Sequence, residues 1–266
     1  MDIFKASDSK YSQEEIRERF PYLYETHLHT AESSRCASSR GADMARACKE
    51  YGYTGIIVTD HAWGGNTTVD RNLPWDRFIN EWCKGYEEAK AEGDKIGLQV
   101  FFGMEAGFMG TDFLLYGISK EWLLKTPKMW TADVPMQHKL VNEAGGIVVH
   151  AHPYREEFYI PEIRLFPNDV DGVEVINATH CSPKSKSHNV AVYNDRAIKY
   201  SNDNNFHIIT AGSDVHSTEL FGGGIAFSHK LENIEDFIKT LKSGEEYALT
   251  DGTDYYLASE IRAVKA

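Results

Sequence analysis

Two histidines one residue apart, His27 and His29, stand in the stretch Glu25-Thr26-His27-Leu28-His29-Thr30. Further His and acidic residues follow along the chain: Asp60-His61, Glu105, His150-Ala151-His152-Pro153, His180 and Asp214-Val215-His216. Residues i and i+2 of a strand point to one face with Cα atoms roughly 6–7 Å apart, so two imidazoles so placed can converge on one ion. Imidazole and carboxylate donors together suit Zn, Mn or Fe. Nearly all of these residues sit where an apolar, strand-like run ends. Positions of that kind describe a metal centre at one mouth of a barrel.

The elements that must position them can be read from the hydrophobic pattern. Ser12-Gln13-Glu14-Glu15 has the form of a capping box, which predicts a short helix through Arg19 before Pro21 stops it. Met44, Ala45, Ala47 and Cys48 have helical spacing, Gly52 is placed as a C-cap, and a strand then runs over 55–59 into Asp60-His61. The same order repeats. A helix over 75–91 leads to a strand over 98–102 and Glu105, and a helix over 136–144 leads to a strand over 147–150. A strand over 173–176 precedes His180, and a helix over 190–201 leads to a strand over 206–210 and Asp214. Alternating helices and strands predict a parallel α/β arrangement, with chemistry at the C-terminal strand ends. Segments 66–72 and 154–168 read as loops over that mouth.

The 266 residues fit one barrel domain, 1–266, and no linker, repeat or low-complexity tract marks a boundary. A formal charge of −12 disfavours a general nucleic-acid or acidic-membrane binder. Cys36, Cys48, Cys83 and Cys181 form no C-x-x-C pair, so reduced thiols in a cytoplasmic protein are expected. Neither a signal-peptide pattern nor a run of ~18 apolar residues occurs. Taken singly, His138, His207 and His229 read as hydrogen-bonded structural residues; the ordered set at the strand ends is harder to explain without metal.

That order, H-x-H, T-D-H, G-x-E, H-P, a later His and G-S-D-x-H, resembles the PHP superfamily, named for polymerase and histidinol phosphatase domains. Here it reads His27-Leu28-His29, Thr59-Asp60-His61, Gly103-Met104-Glu105, His152-Pro153, His180 and Gly212-Ser213-Asp214-Val215-His216, over about residues 25–220. The resemblance implies a distorted (β/α)7 TIM-like barrel, two or three divalent ions (Zn, Mn or Fe) and phosphoester hydrolysis. It places His27, His29, Glu105 and Asp214 around one ion, with Glu105 bridging to a second held by His152 and His180. His61 and His216 fall to a third. A carboxylate can bridge two cations where an imidazole nitrogen cannot, which makes Glu105 the natural shared ligand.

His150 and His152 compete for one role, because both share a face if the strand continues. The family pattern places the ligand directly before proline, which favours His152 and leaves His150 either to support a ligand or to contact the substrate. His188 is the substitute for His180. Asp60 is expected to orient a ligand, since metal-bound imidazoles need an outer partner. There is one departure: relatives carry a His or Asp seven or eight residues after the first His, where this chain has Ser34 and Arg35. Glu32 or Cys36 must then replace the missing ligand, or the third site is weak. Arg35 and Arg155 are candidate phosphate contacts, because guanidinium matches phosphate oxygens bidentately.

The expected reaction is hydrolysis of a small phosphate ester by metal-activated hydroxide, with Glu105 and His216 catalytic. Two other classes stay open: an amidohydrolase-type metal hydrolase attacking carbon, and a non-catalytic, metal-stabilised binding module.

Overall fold

The computed structural model describes residues 2–186 and 188–264. Ten strands form one mixed sheet: β1 (Tyr22–Leu28), β2 (Gly55–Val58), β3 (Gln99–Phe108), β4 (Thr111–Tyr116), β5 (Ile147–His150), β6 (Gly172–Asn177), β7 (Ile208–Gly212), β8 (Gly223–Phe227), β9 (Ala248–Asp251) and β10 (Tyr255–Leu257). Their order is β10-β9-β8-β1-β2-β3-β4-β5-β6-β7. Strands β1 to β7 curl into a distorted barrel whose ends meet at a parallel bridge between Leu28 and Val215. His29 N donates to Val215 O at 3.0 Å and Val215 N to His27 O at 3.3 Å. This closure puts the two H-x-H-like pairs of the sequence side by side.

Helices α1 (Gln13–Arg19), α2 (Gly41–Tyr51), α3 (Trp75–Trp82), α4 (Lys84–Ile96), α5 (Lys120–Lys125), α6 (Val134–Glu143), α7 (Val192–Asp203), α8 (Ile234–Ser243) and α9 (Ala258–Arg262) complete the α/β fold. The capping box at Ser12 and Glu15 is formed, and Gly52 ends α2 with φ 109°. The single helix expected over 75–91 is two helices that break at Cys83. The described residues contain no helix long and apolar enough to cross a membrane.

Strict β/α alternation fails where β5 is followed by β6 and β7 by β8 with no α-helix between them among the described residues, and at a hairpin. Between β3 and β5 the chain inserts β4, antiparallel to both neighbours. Met109 (φ 53°) and Gly110 (φ 86°) form the two-residue turn between β3 and β4, and positive φ at both central positions is what a tight hairpin needs. The sheet also extends beyond β1 through the antiparallel strands β8, β9 and β10.

Phe78, Ile79 and Trp82 of α3 pack against Phe102, Met104, Phe113 and Leu115 of β3 and β4. A buried aromatic of this kind replaced by Ala costs roughly 3–5 kcal/mol, and Trp82→Ala has a second effect. Its indole Nε1 donates to the carbonyl of His61 at 2.9 Å, so this packing reaches the mouth of the barrel directly.

Candidate metal centre

His27 and His29 leave the end of β1 on one face and are fully buried. Gly212, at the end of β7, lies so close that a Cβ there would meet His27 Cβ at 2.5 Å; a side chain would push the two strand ends apart. Glu105 lies within β3, bridged to His61 in parallel register. His152 (φ 26°) and Asp214 (φ 54°) sit just past β5 and β7 in the left-handed region. Non-glycine residues there store backbone strain, which persists where surrounding structure enforces it.

These groups converge. Nε2 of His27 is 3.2 Å from Glu105 Oε1 and 3.4 Å from Asp214 Oδ1, and Nε2 of His29 is 3.1 Å from Asp214 Oδ1. Glu105 Oε1 also faces His152 Nε2 at 3.2 Å, while Oε2 faces His61 Nδ1 at 2.5 Å. Among the described residues, three groupings have ligand atoms within 4.8 Å of one another: His27, Glu105 and His152; His27, His29 and Asp214; His29, His61 and His216. His27 Nε2 and Glu105 Oε2 are buried without hydrogen-bonding geometry to a protein partner.

The outer faces of the rings explain their orientation. Nδ1 of His27 meets Glu174 Oε1 at 2.9 Å, that of His180 meets Asn194 Oδ1 at 2.9 Å, and that of His216 meets the Asp214 carbonyl at 2.8 Å. Nδ1 of His29 faces Ser34 Oγ at 3.2 Å. Ser34 donates its own hydroxyl to Asp60 Oδ1 at 2.7 Å, so it acts as acceptor toward the ring. Protons held at Nδ1 leave Nε2 as a lone pair facing inward, which is the tautomer a metal ligand needs.

Electrostatics point the same way. Burial disfavours the His27 imidazolium, but Asp214, Glu174 and Glu105 outweigh it and hold its pKa well above the ordinary value. His29 goes the other way, lowered by burial and then by the neighbouring rings of His216 and His61. Its ring centroid is 4.4 Å from each. Two unit charges at about 4 Å repel by ~4 kcal/mol at an effective dielectric near 20, so protonating all the rings cannot neutralise the carboxylates. Divalent cations can, and this donor set fits them.

The centre opens into a cavity of about 820 Å³ lined by Cys36, His61, Asp112, Arg155, Tyr159 and His216 among others. The sequence pattern of the PHP domain matches residues 25–214. The chain belongs to the PHP domain family. Three solved structures resemble it: a two-domain protein from Bacteroides vulgatus containing a predicted PHP-like metal-dependent phosphoesterase (14% identity, TM-score 0.58, 86% of this chain and 64% of that one), a candidate metal-dependent phosphoesterase from Bifidobacterium adolescentis (14%, 0.50, 83% and 96%), and PsfC from Pseudomonas syringae (15%, 0.54, 91% and 94%). The chain thus spans less than two thirds of the two-domain protein, and at these identities the likeness is one of fold. No curated protein matches the chain.

Within this PHP domain, His27, His29, His61, Glu105, His152, Asp214 and His216 are brought together, and His180 stands apart from the three groupings. Its Nε2 faces Arg155 Nε at 3.2 Å, while Arg155 Nη2 pairs with Asp214 Oδ2 at 2.6 Å. His188 lines the cavity, paired with Glu157 at 2.5 Å. Asp60 acts through the loop: it accepts from Thr30 N and Oγ1, each at 2.6 Å, and from Ser34. Arg35 is exposed and lies outside the cavity lining.

His150, expected as a substrate contact, points elsewhere. The chain turns at His152, so the shared face of 150 and 152 is lost. The His150 ring is buried against Phe113, Phe166 and Tyr200 with neither nitrogen hydrogen-bonded.

Sequence reasoning missed two carboxylates behind the centre. Glu174 accepts from His27, from His152 N at 3.0 Å and from Asn177 Nδ2 at 3.1 Å. Glu25 accepts from His27 N and Ser213 N, each at 2.9 Å, and burial pushes its carboxyl up to about 7. Each is an acidic residue inside an apolar strand. Fully buried acids are rare without a partner, which was the available signal.

Proposed function

We propose that this PHP domain is a metal-dependent phosphoesterase that hydrolyses a small phosphate ester. One observation carries the reading: Glu105 turns one oxygen toward His27 and His152 and the other toward His61, as a bridging carboxylate must. Two or three divalent ions (Zn, Mn or Fe) would be held by His27, His29, Glu105, Asp214, His152, His61 and His216. Such ions, when bound, polarise phosphate oxygens and generate hydroxide near neutral pH.

The chain's own residues do the rest. Arg155 is buried and stays charged, because Asp214 more than offsets the cost of burial. Shifting part of its pairing from Asp214 to a phosphate oxygen would hold the ester in the cavity. His216 keeps Nδ1 on a backbone carbonyl, which leaves its Nε2 lone pair free to face an outer ion.

The test is a panel of phosphomonoesters, phosphodiesters and amides offered to protein reconstituted with Zn, Mn or Fe. Phosphate release that requires metal supports the reading. Turnover of amides alone would move the chain to the amidohydrolase class, and turnover of nothing to a binding module.

A further inference from the structure

The wall of the cavity holds a carboxylate that the fold leaves without a donor. Arg155 pairs with Asp214 and His188 with Glu157, and the rings of His61 and His216 face Glu105 and Asp214. Asp112 lines the same cavity, yet among the described residues its carboxylate makes neither a hydrogen bond nor an ion pair. Burial, and then the charge of Glu105, pushes its carboxyl up to about 6, as expected of an acid short of donors.

Register fixes where Asp112 stands. In the hairpin of β3 and β4, Glu105 lies opposite Leu114 and Gly107 opposite Asp112. Leu114 and Asp112 share a face of β4, the face that Glu105 and Gly107 share on β3. Asp112 is therefore one pair nearer the mouth than Glu105, about 7 Å along the strand. Its backbone is held there, since its carbonyl accepts from Ala151 N at 3.0 Å. Gly107 puts no side chain beside it, and a Cβ there would meet Gly64 O at 2.7 Å. A phosphate at the level of Glu105 and Arg155 carries its alcohol past Asp112, which meets a substituent a few carbons from the ester oxygen.

We infer that Asp112 reads this alcohol: it accepts a hydrogen bond from a hydroxyl or ammonium group near the ester and repels a second anionic group. The substrate class is then a monophosphate of a polyhydroxy or amino alcohol, and bisphosphates and phosphorylated carboxylic acids are turned away. A carboxylate without a protein partner gains from a donor that the ligand brings, and a like charge set against it is the repulsive element that specificity uses. This rests on the reading of the centre as a phosphoesterase, although the preference itself is one of binding.

Four esters that differ at one end test it: the phosphomonoesters of propanol, 1,3-propanediol, 3-aminopropanol and 3-hydroxypropanoic acid, given to the metal-reconstituted full chain. In the wild type, kcat/KM for the hydroxyl or the ammonium ester should exceed that for propyl phosphate by at least about tenfold, and the carboxylate ester should fall below it by a similar factor. Whichever donor ester ranks first names the donor. Asp112→Ala should level the series, and Asp112→Lys should favour the carboxylate ester. Ratios are taken within one variant, so a general change in activity does not enter, and metal content is measured alongside. Equal kcat/KM for the four esters in the wild type, a ranking that persists in Asp112→Ala, or loss of a cation equivalent on that substitution overturns the inference and leaves the phosphoesterase reading standing. If no ester is cleaved, calorimetric titration of the same four into metal-loaded protein reads the preference. The expected order of affinities then upholds the role of Asp112 while the phosphoesterase reading falls, and equal affinities or no binding removes both.

Discussion

Glu174 Oε1 lies 2.9 Å from Nδ1 of His27, and both side chains are buried. The contact fixes the tautomer and aims Nε2 at Glu105 and Asp214. Glu174→Gln keeps the shape and removes the charge, and removal of such a partner lowers metal affinity by about 10–100-fold. Competition with a chromophoric chelator measures this. Unchanged affinity in a folded variant would show that the ring is held by packing alone.

Glu105→Gln should remove most phosphoesterase activity and weaken two cations together, because a neutral amide bridges positive ions poorly. Metal content after dialysis, compared with the wild type, reads the effect. Loss of a single ion with the other intact would assign Glu105 to one site only.

The strand-end residues were legible because period 2 along a strand and the order of strands in a parallel sheet both leave marks in sequence. His27 and His29 share a face for the first reason, and Glu105, His152 and Asp214 meet for the second. Strand β4 was hidden because Met109, at a position where Asn or Asp would announce a hairpin, looks like part of an apolar run. The fate of His150 depended on the turn at His152 (φ 26°), which no residue type predicts.

His152→Ala should lower bound metal, whereas His150→Phe should leave metal and turnover near wild type. The His150 ring touches Phe113, Phe166 and Tyr200 rather than the cavity. Metal stoichiometry on both variants decides the matter, and a loss of metal in His150→Phe would return that residue to the centre.

The same residue gives a pH dependence. Burial, and secondarily His152, pushes the His150 pKa down to about 3. Between that value and the ordinary one of about 6.5, the unfolded chain binds the proton and the folded chain does not. Stability from this group is therefore present above about pH 6.5 and lost as pH falls, by at most about 1.4 kcal/mol per unit. Urea unfolding at a series of pH values should give a shallower acid slope for His150→Phe than for wild type. Parallel curves would mean that His150 ionises in the native state at no cost.

The central claim is that cations gathered around Glu105 drive hydrolysis of a phosphate ester. Metal-stripped protein should be reconstituted stepwise with Zn or Mn while phosphate release from a monoester panel is followed, with Glu105→Gln alongside. The account predicts that release is absent without metal, rises as the sites around Glu105 fill, and stays near background in the variant. Release that is independent of metal, or equal in wild type and Glu105→Gln at full occupancy, would contradict it.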